Sequence, residues 1–191
     1  MARERKFSTD ELFQETKQLL LQNGYEGFTF SLLADRLNVA RGTLYKYYEN
    51  RDELITDYMI YEMKQFLTNL KVIHEYRGFT SQFDFLLDFI LMHHEVPQMI
   101  GIARHIPIDS NEKVKANRAT LDQLHLDMYT QLGAFIQLGR DERLLKPTIP
   151  DGLILGMIFQ TIAIPNHSGV PQSEWIQSIK EIISHGMFTN I

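Results

Sequence analysis

Residues 27–54 read GFTFSLLADRLNVARGTLYKYYENRDEL. Thr29 is a good N-cap for a helix over residues 30–37, because its hydroxyl can accept from a backbone N–H that the first turn leaves unpaired. Asn38-Val39 makes a tight turn, since asparagine tolerates positive φ. A second short helix follows over about residues 41–48. Asn50, with Glu53 three residues on, signals the start of another helix. Two short helices joined by a brief turn, packed on a preceding helix, form a helix-turn-helix unit.

In such a unit the second helix enters the major groove of DNA, and its first residues reach the base edges. That task asks for small residues at the helix start, a few outward donors and inward apolar anchors. Ala40, Gly42 and Thr43 are small. Arg41, Thr43, Tyr45, Lys46 and Tyr47 can donate hydrogen bonds. Val39, Leu44 and Tyr48 can anchor. Gly42 inside a short helix costs about 1 kcal/mol relative to alanine, which fits a place where close approach matters more than helix strength.

Outward from this stretch, helical periodicity continues in both directions. Before it, Leu12, Phe13, Thr16, Leu19 and Leu20 make one buried face; Ser8 with Glu11 offers a capping box, and Asn23-Gly24 a stop. After it, a long helix runs to about residue 74. Gly78 breaks the chain, and a phenylalanine-rich helix follows over about 81–94. Pro97 and Pro107 bracket a short helix. A long one spans about 111–138, with Gly139 as its stop. A further helix over 152–164 ends at Pro165, and Ser173 caps a last one. The expected fold is all-α: an N-terminal three-helix DNA-binding domain with a helix-turn-helix over residues 1–50, then a C-terminal helical bundle over 51–191, with about nine helices in total.

The head resembles the DNA-binding domain of the TetR/AcrR family of transcriptional regulators. Gly27, Thr29, Leu33-Ala34, Val39, Gly42-Thr43-Leu44-Tyr45, Tyr48, Arg51 and Glu53-Leu54 carry the resemblance, which covers about residues 8–55. Asn38 stands where the family usually has glycine, and Ala40 where a serine or threonine cap is common. Arg51 replaces a common lysine. The resemblance implies that Thr29, Tyr47 and Arg51 touch phosphate. It places Arg41, Gly42, Thr43, Tyr45 and Lys46 on or near the groove face. Arg41 suits a guanine O6/N7 contact best. The Arg3-Arg5-Lys6 arm could reach the backbone or minor groove, although such arms are mostly solvated tails.

Composition bounds the rest. The chain has 191 residues, 44% of them hydrophobic, which suffices for a sizeable core. With no cysteine, disulfides and thiolate metal sites are excluded, and a reducing, cytoplasmic setting is expected. No signal-like segment opens the chain, and the apolar run 152–164 is short for a membrane span. Net charge is −5. Residues 1–52 hold eight Lys/Arg and eight Asp/Glu, so all of it falls behind the head. The head is therefore not a generic basic patch.

No nucleophile elbow or phosphate-cradling loop is present, so an enzyme is not expected, nor a cofactor. His93-His94-Glu95 lacks the i, i+4 spacing of a helical metal pair, and no metal is expected. The rear helices suggest a small-molecule effector, apolar or amphipathic, lined by Phe66, Phe89, Met92, His93, Met128 and Phe159. In TetR-like regulators the last two helices usually pair across a two-fold axis. That implies a homodimer seam built from Leu155, Trp175, Ile179, Ile182 and Ile183. The expected function is a ligand-responsive regulator, a repressor by family habit, binding a palindromic operator on double-stranded DNA. The alternative is a ligand-independent, nucleoid-associated DNA binder.

Overall fold

Helices form where capping and periodicity coincide. In a computed structural model, which describes residues 7–93, 95–107 and 110–189, the order is α1 (Thr9–Gly27), α2 (Phe30–Arg36), α3 (Arg41–Leu44), α4 (Arg51–Leu70), α5 (Phe79–Met92), α6 (Val96–His105), α7 (Glu112–Gln131), α8 (Gly133–Asp141), α9 (Asp151–Gln160) and α10 (Gln172–Met187). Short 3-10 turns follow α4 at Lys71–Glu75 and α9 at Thr161–Ala163. Among the described residues, extended pairing is limited to one isolated bridge between Leu145 and Phe188. The all-α expectation holds.

The chain divides into two compact units. The first comprises Met1–Gln65 with Gln98–Leu124, the second Phe66–Pro97 with His125–Ile191. In the first, the apolar faces of the front helices close around Leu12, Leu20, Phe28, Leu33, Leu44, Leu54 and Ile55. Tyr58, Ile102, Ile106 and Val114 belong to the same cluster. Its boundary therefore follows packing rather than chain order, and a segment from the middle of the sequence completes the front core.

The second unit centres on Phe79, which is fully buried. Its ring stacks on Phe135 at 4.8 Å, with Phe188 at 5.3 Å and Phe83 at 6.1 Å. Gly139 lies against the edge of that ring. The carboxylate of Glu142 accepts from the Phe79 backbone N–H at 3.1 Å, so α5 starts on a cap supplied from 63 residues away. Lys180 bridges Asp84 at 3.3 Å and Asp88 at 2.9 Å, tying α10 to α5.

Several boundaries differ from expectation, each for a local reason. Gly24, the expected stop, takes φ 66° and breaks the helix there; helical geometry then resumes for a few residues, so that α1 extends across the kink to Gly27. α3 is one turn long instead of reaching residue 48. Residues 46–48 continue as turns bonded to Thr43 and Leu44, consistent with the poor helix propensity of a Gly-Thr start and an aromatic run. The single helix expected over 111–138 is two, broken at Leu132, and Gly139 sits inside the second as a packing residue. α10 begins behind Pro171, not on a Ser173 cap.

Candidate nucleic-acid interface

The reading head is built from caps and anchors. Thr29, in extended conformation, accepts from the Leu32 N–H at 3.3 Å and starts α2. The turn to α3 passes through Asn38 at φ 51°, the left-handed conformation expected of a residue standing in for glycine. Its N–H donates to Asp35, and that of Val39 to Ala34 at 2.9 Å. Leu44 and Tyr48 are buried beneath α3, and Val39 is half-buried. Ser8 and Glu11 form both halves of the expected capping box on α1.

Ala40 occupies the N-cap of α3 with no side-chain cap. Ala40→Ser should therefore raise stability by about 1 kcal/mol by satisfying a free N–H of that turn. Urea unfolding followed by circular dichroism would measure it, and an unchanged midpoint would contradict the capping account.

Above the anchors, Arg41, Gly42, Tyr45, Lys46 and Tyr47 are exposed and Thr43 is half-buried. A Cβ added at Gly42 would meet nothing within 4 Å, so internal packing does not require the glycine. Arg41 is held in place: its guanidinium donates to the Tyr45 hydroxyl at 2.8 Å and lies 5.3 Å from that ring. Tyr45 in turn meets the buried Phe30 edge-on at 5.0 Å. The chain of contacts runs from core to surface donor. Tyr47 packs against Phe7 at 5.8 Å. A shallow groove is lined by Thr29, Phe30, Arg41, Tyr45 and Arg51 among others.

Arg51 is placed differently from a free surface charge. It donates to the backbone carbonyls of Tyr25 and Phe28, each at 3.1 Å, and its guanidinium lies 4.1 Å over the Tyr25 ring. The arm Arg3-Arg5-Lys6 lies outside the described residues.

Sequence reasoning missed the polar network beneath α4. Asn50 caps α4 as expected, accepting from Glu53 N–H at 3.0 Å. The Glu53 carboxylate, however, accepts from Glu49 N–H at 2.8 Å and from the Asn111 amide at 2.6 Å, instead of returning to Asn50. Asp52, buried, accepts from the Tyr25 hydroxyl at 2.9 Å and from Ser110 at 2.8 Å. Burial and the hydrogen bond to the Asp52 carboxylate push the Tyr25 phenol above its ordinary range. Asn117, also buried, donates to Thr56 at 2.9 Å and Asp57 at 2.8 Å. The one local signal was an asparagine on the inner face of α7, a polar group that must find partners if buried.

In the second unit, three of the six effector candidates come together. Phe66 and Phe89 are 4.9 Å apart, and His93 lies 5.1 Å from Phe89 and 5.8 Å from Phe66. Phe159 lies beside Tyr129, Met128 is buried, and Met92 is 65% exposed. Of the seam candidates, Leu155, Ile179 and Ile183 are buried within their own unit, and Trp175 is half-buried. Ile182 is 73% exposed. Leu153 and Met157, one turn apart on α9, are also exposed. Among the described residues, no cluster of three or more His, Cys, Asp or Glu could hold a metal ion, and no helix is long and apolar enough to cross a membrane.

Residues 12–58 match the family described as bacterial regulatory proteins, tetR family. Over 75 residues the chain is 31% identical to an HTH-type transcriptional regulator of Haemophilus influenzae; the alignment covers 39% of this chain and 40% of that relative. The fold is shared with the transcriptional regulator FadR from Bacillus subtilis in complex with stearoyl-CoA. The TM-score is 0.71 at 16% identity, covering 94% of this chain and 99% of the other. It is shared too with the ketosteroid transcriptional regulator KstR2 of Mycobacterium tuberculosis. There the TM-score is 0.64 at 14% identity, covering 100% and 98%.

Proposed function

We propose that this chain is a TetR-family transcription regulator, a ligand-responsive repressor which binds a palindromic operator as a homodimer; the match of residues 12–58 to that family's model and the shared fold support the reading. Residues 1–50 are the reading head, and residues 51–191 carry effector binding and dimerisation. Each protomer offers α3 to one half-site, with half-sites a helical turn or more apart. The observation that carries this reading is the outward face of α3 and the turn that continues it: Arg41, Tyr45, Lys46 and Tyr47 exposed over a buried Leu44, with nothing in the fold explaining Gly42. Thr29 and Tyr47 contact phosphate, and Arg41 reads a base edge.

The effector is apolar or amphipathic, received at the Phe66, Phe89 and His93 cluster. The stearoyl-CoA bound to the Bacillus subtilis regulator of this fold supports that class. To release DNA, the effector must bind the DNA-incompetent state more tightly than the competent one. Selection of duplexes from a genomic fragment pool, with and without a long-chain acyl-CoA, tests both parts. Enrichment of a palindromic site is the expected result, and loss of enrichment with the acyl-CoA supports the effector class. No enriched site would end the repressor reading.

The dimer seam uses the exposed face of the last two helices, Leu153, Met157 and Ile182, with Trp175 beside it. It does not use Leu155, Ile179 and Ile183, which the protomer's own core occupies. Ile182→Glu should yield a folded monomer in sedimentation velocity, because the charge meets water in the protomer and an apolar partner only in the dimer. A dimer that survives Ile182→Glu would show that this face is not the seam.

A further inference from the structure

The first residue of α4 carries the family-implied phosphate contact, yet its guanidinium is already engaged inside the head. A guanidinium has five N–H donors in a fixed plane. Arg51 Nη1 donates to the carbonyls of Tyr25 at 3.1 Å, Phe28 at 3.1 Å and Glu26 at 3.4 Å. Nη2 reaches the exposed Glu26 carboxylate at 3.5 Å, and Nε lies 4.0 Å from Asp52. The guanidinium carbon lies 4.1 Å from the centre of the Tyr25 ring, and that ring is itself held by its hydroxyl bond to Asp52. The three carbonyls belong to the corner where α1 hands over to α2, where the helix end leaves acceptors without intrahelical partners. The next residue is Thr29, which caps α2.

We infer that Arg51 is a positioning residue: it locks the corner between α1 and α2, and so seats Thr29 and the helix-turn-helix, in place of contacting a phosphate. Lysine keeps the charge and could reach the carbonyls that converge on Nη1, but its one ammonium cannot also cover the Tyr25 ring and reach the Glu26 carboxylate, as the guanidinium does. The inference rests on the DNA-binding reading for its functional half only, since the clamp is a feature of the folded head.

The test compares Arg51→Lys, Arg51→Gln and Tyr25→Leu on a duplex selected from a random-sequence pool, well below each melting temperature. Arg51→Lys should bind about tenfold more weakly although its charge is kept, as expected for loss of charge-assisted bonds. The slope of log affinity against log salt should stay at the wild-type value in all three variants. Tyr25→Leu, which removes no charge, should weaken binding in the same sense. Wild-type affinity in Arg51→Lys, or a slope reduced by about 0.9 in Arg51→Gln, would overturn the inference, because that slope counts phosphates neutralised. A lowered melting temperature with unchanged affinity of the folded protein would overturn it too.

If the wild-type protein selects no duplex, the proposed function fails and the clamp is still read. Native-state hydrogen exchange over Phe30–Arg36 should be severalfold faster in Arg51→Lys. Exchange at the wild-type rate would sink the clamp itself.

Discussion

Gly139→Ala is expected to destabilise the second unit by about 1–3 kcal/mol, although alanine is the better helix former by about 1 kcal/mol. A Cβ at this position would come within 2.6 Å of the Phe79 ring and 2.7 Å of Leu145. Neither neighbour can yield easily. Phe79 is fully buried among Phe83, Phe135 and Phe188, and Leu145 is buried on the adjoining turn. A close-packed interior answers an added methyl with off-rotamer side chains or backbone shifts. The effect should shrink in a Phe79→Leu background, where the smaller side chain yields the space, so the two substitutions should be strongly non-additive. Trp175 is the single tryptophan and lies in the second unit, so its fluorescence during urea unfolding reports the right part of the chain. Equal costs of Gly139→Ala in both backgrounds would show that the ring is not the obstacle.

The second large effect concerns DNA. Arg41→Ala should weaken binding to a selected site by about 1–3 kcal/mol and relax preference at one base pair, as the proposed bidentate base contact requires. Lys46→Ala should weaken binding to all sequences alike and lower the salt slope by about one. Tyr45→Phe should reproduce part of the Arg41 loss: the ring still packs on Phe30, but the 2.8 Å bond that orients the guanidinium is gone. Competition binding against single-base variants of the site separates the three. If the double variant Arg41→Ala with Lys46→Ala bound as tightly as wild type, α3 would not be the reading helix.

What the sequence made legible was local. The Ser8–Glu11 box, the Thr29 cap, the Asn38 turn and the Leu44 and Tyr48 anchors each depend on residues within one or two turns, and each stands where periodicity and capping placed it. What stayed hidden depends on partners far along the chain. Gly139 reads as a helix stop, because nothing nearby reveals the Phe79 ring 60 positions earlier. Arg51 reads as a phosphate contact, and its place in the head stays hidden because its acceptors are backbone carbonyls, which every residue possesses. Asn111 and Asn117 carry no local signal of the partners they find, the carboxylates of Glu53 and Asp57 on α4. The stripe on α10 was visible as a stripe, but periodicity does not tell which flank faces inward. Ile179 and Ile183 are buried, while Ile182 between them is exposed.

The discontinuity of the first unit has a bearing on how such a protein can be recombined. Ile102, Ile106 and Val114 share one apolar cluster with Leu12, Leu20 and Leu44, and Gln98 donates to the Leu21 carbonyl at 2.8 Å. A chimera that grafts residues 1–50 onto another regulator's body leaves behind Tyr58 and the entire 98–124 segment. It would inherit DNA specificity together with an uncovered oily face. A graft that preserves solubility must transplant two separated stretches of the gene, so crossover at a single point is a poor route to new pairings of head and body.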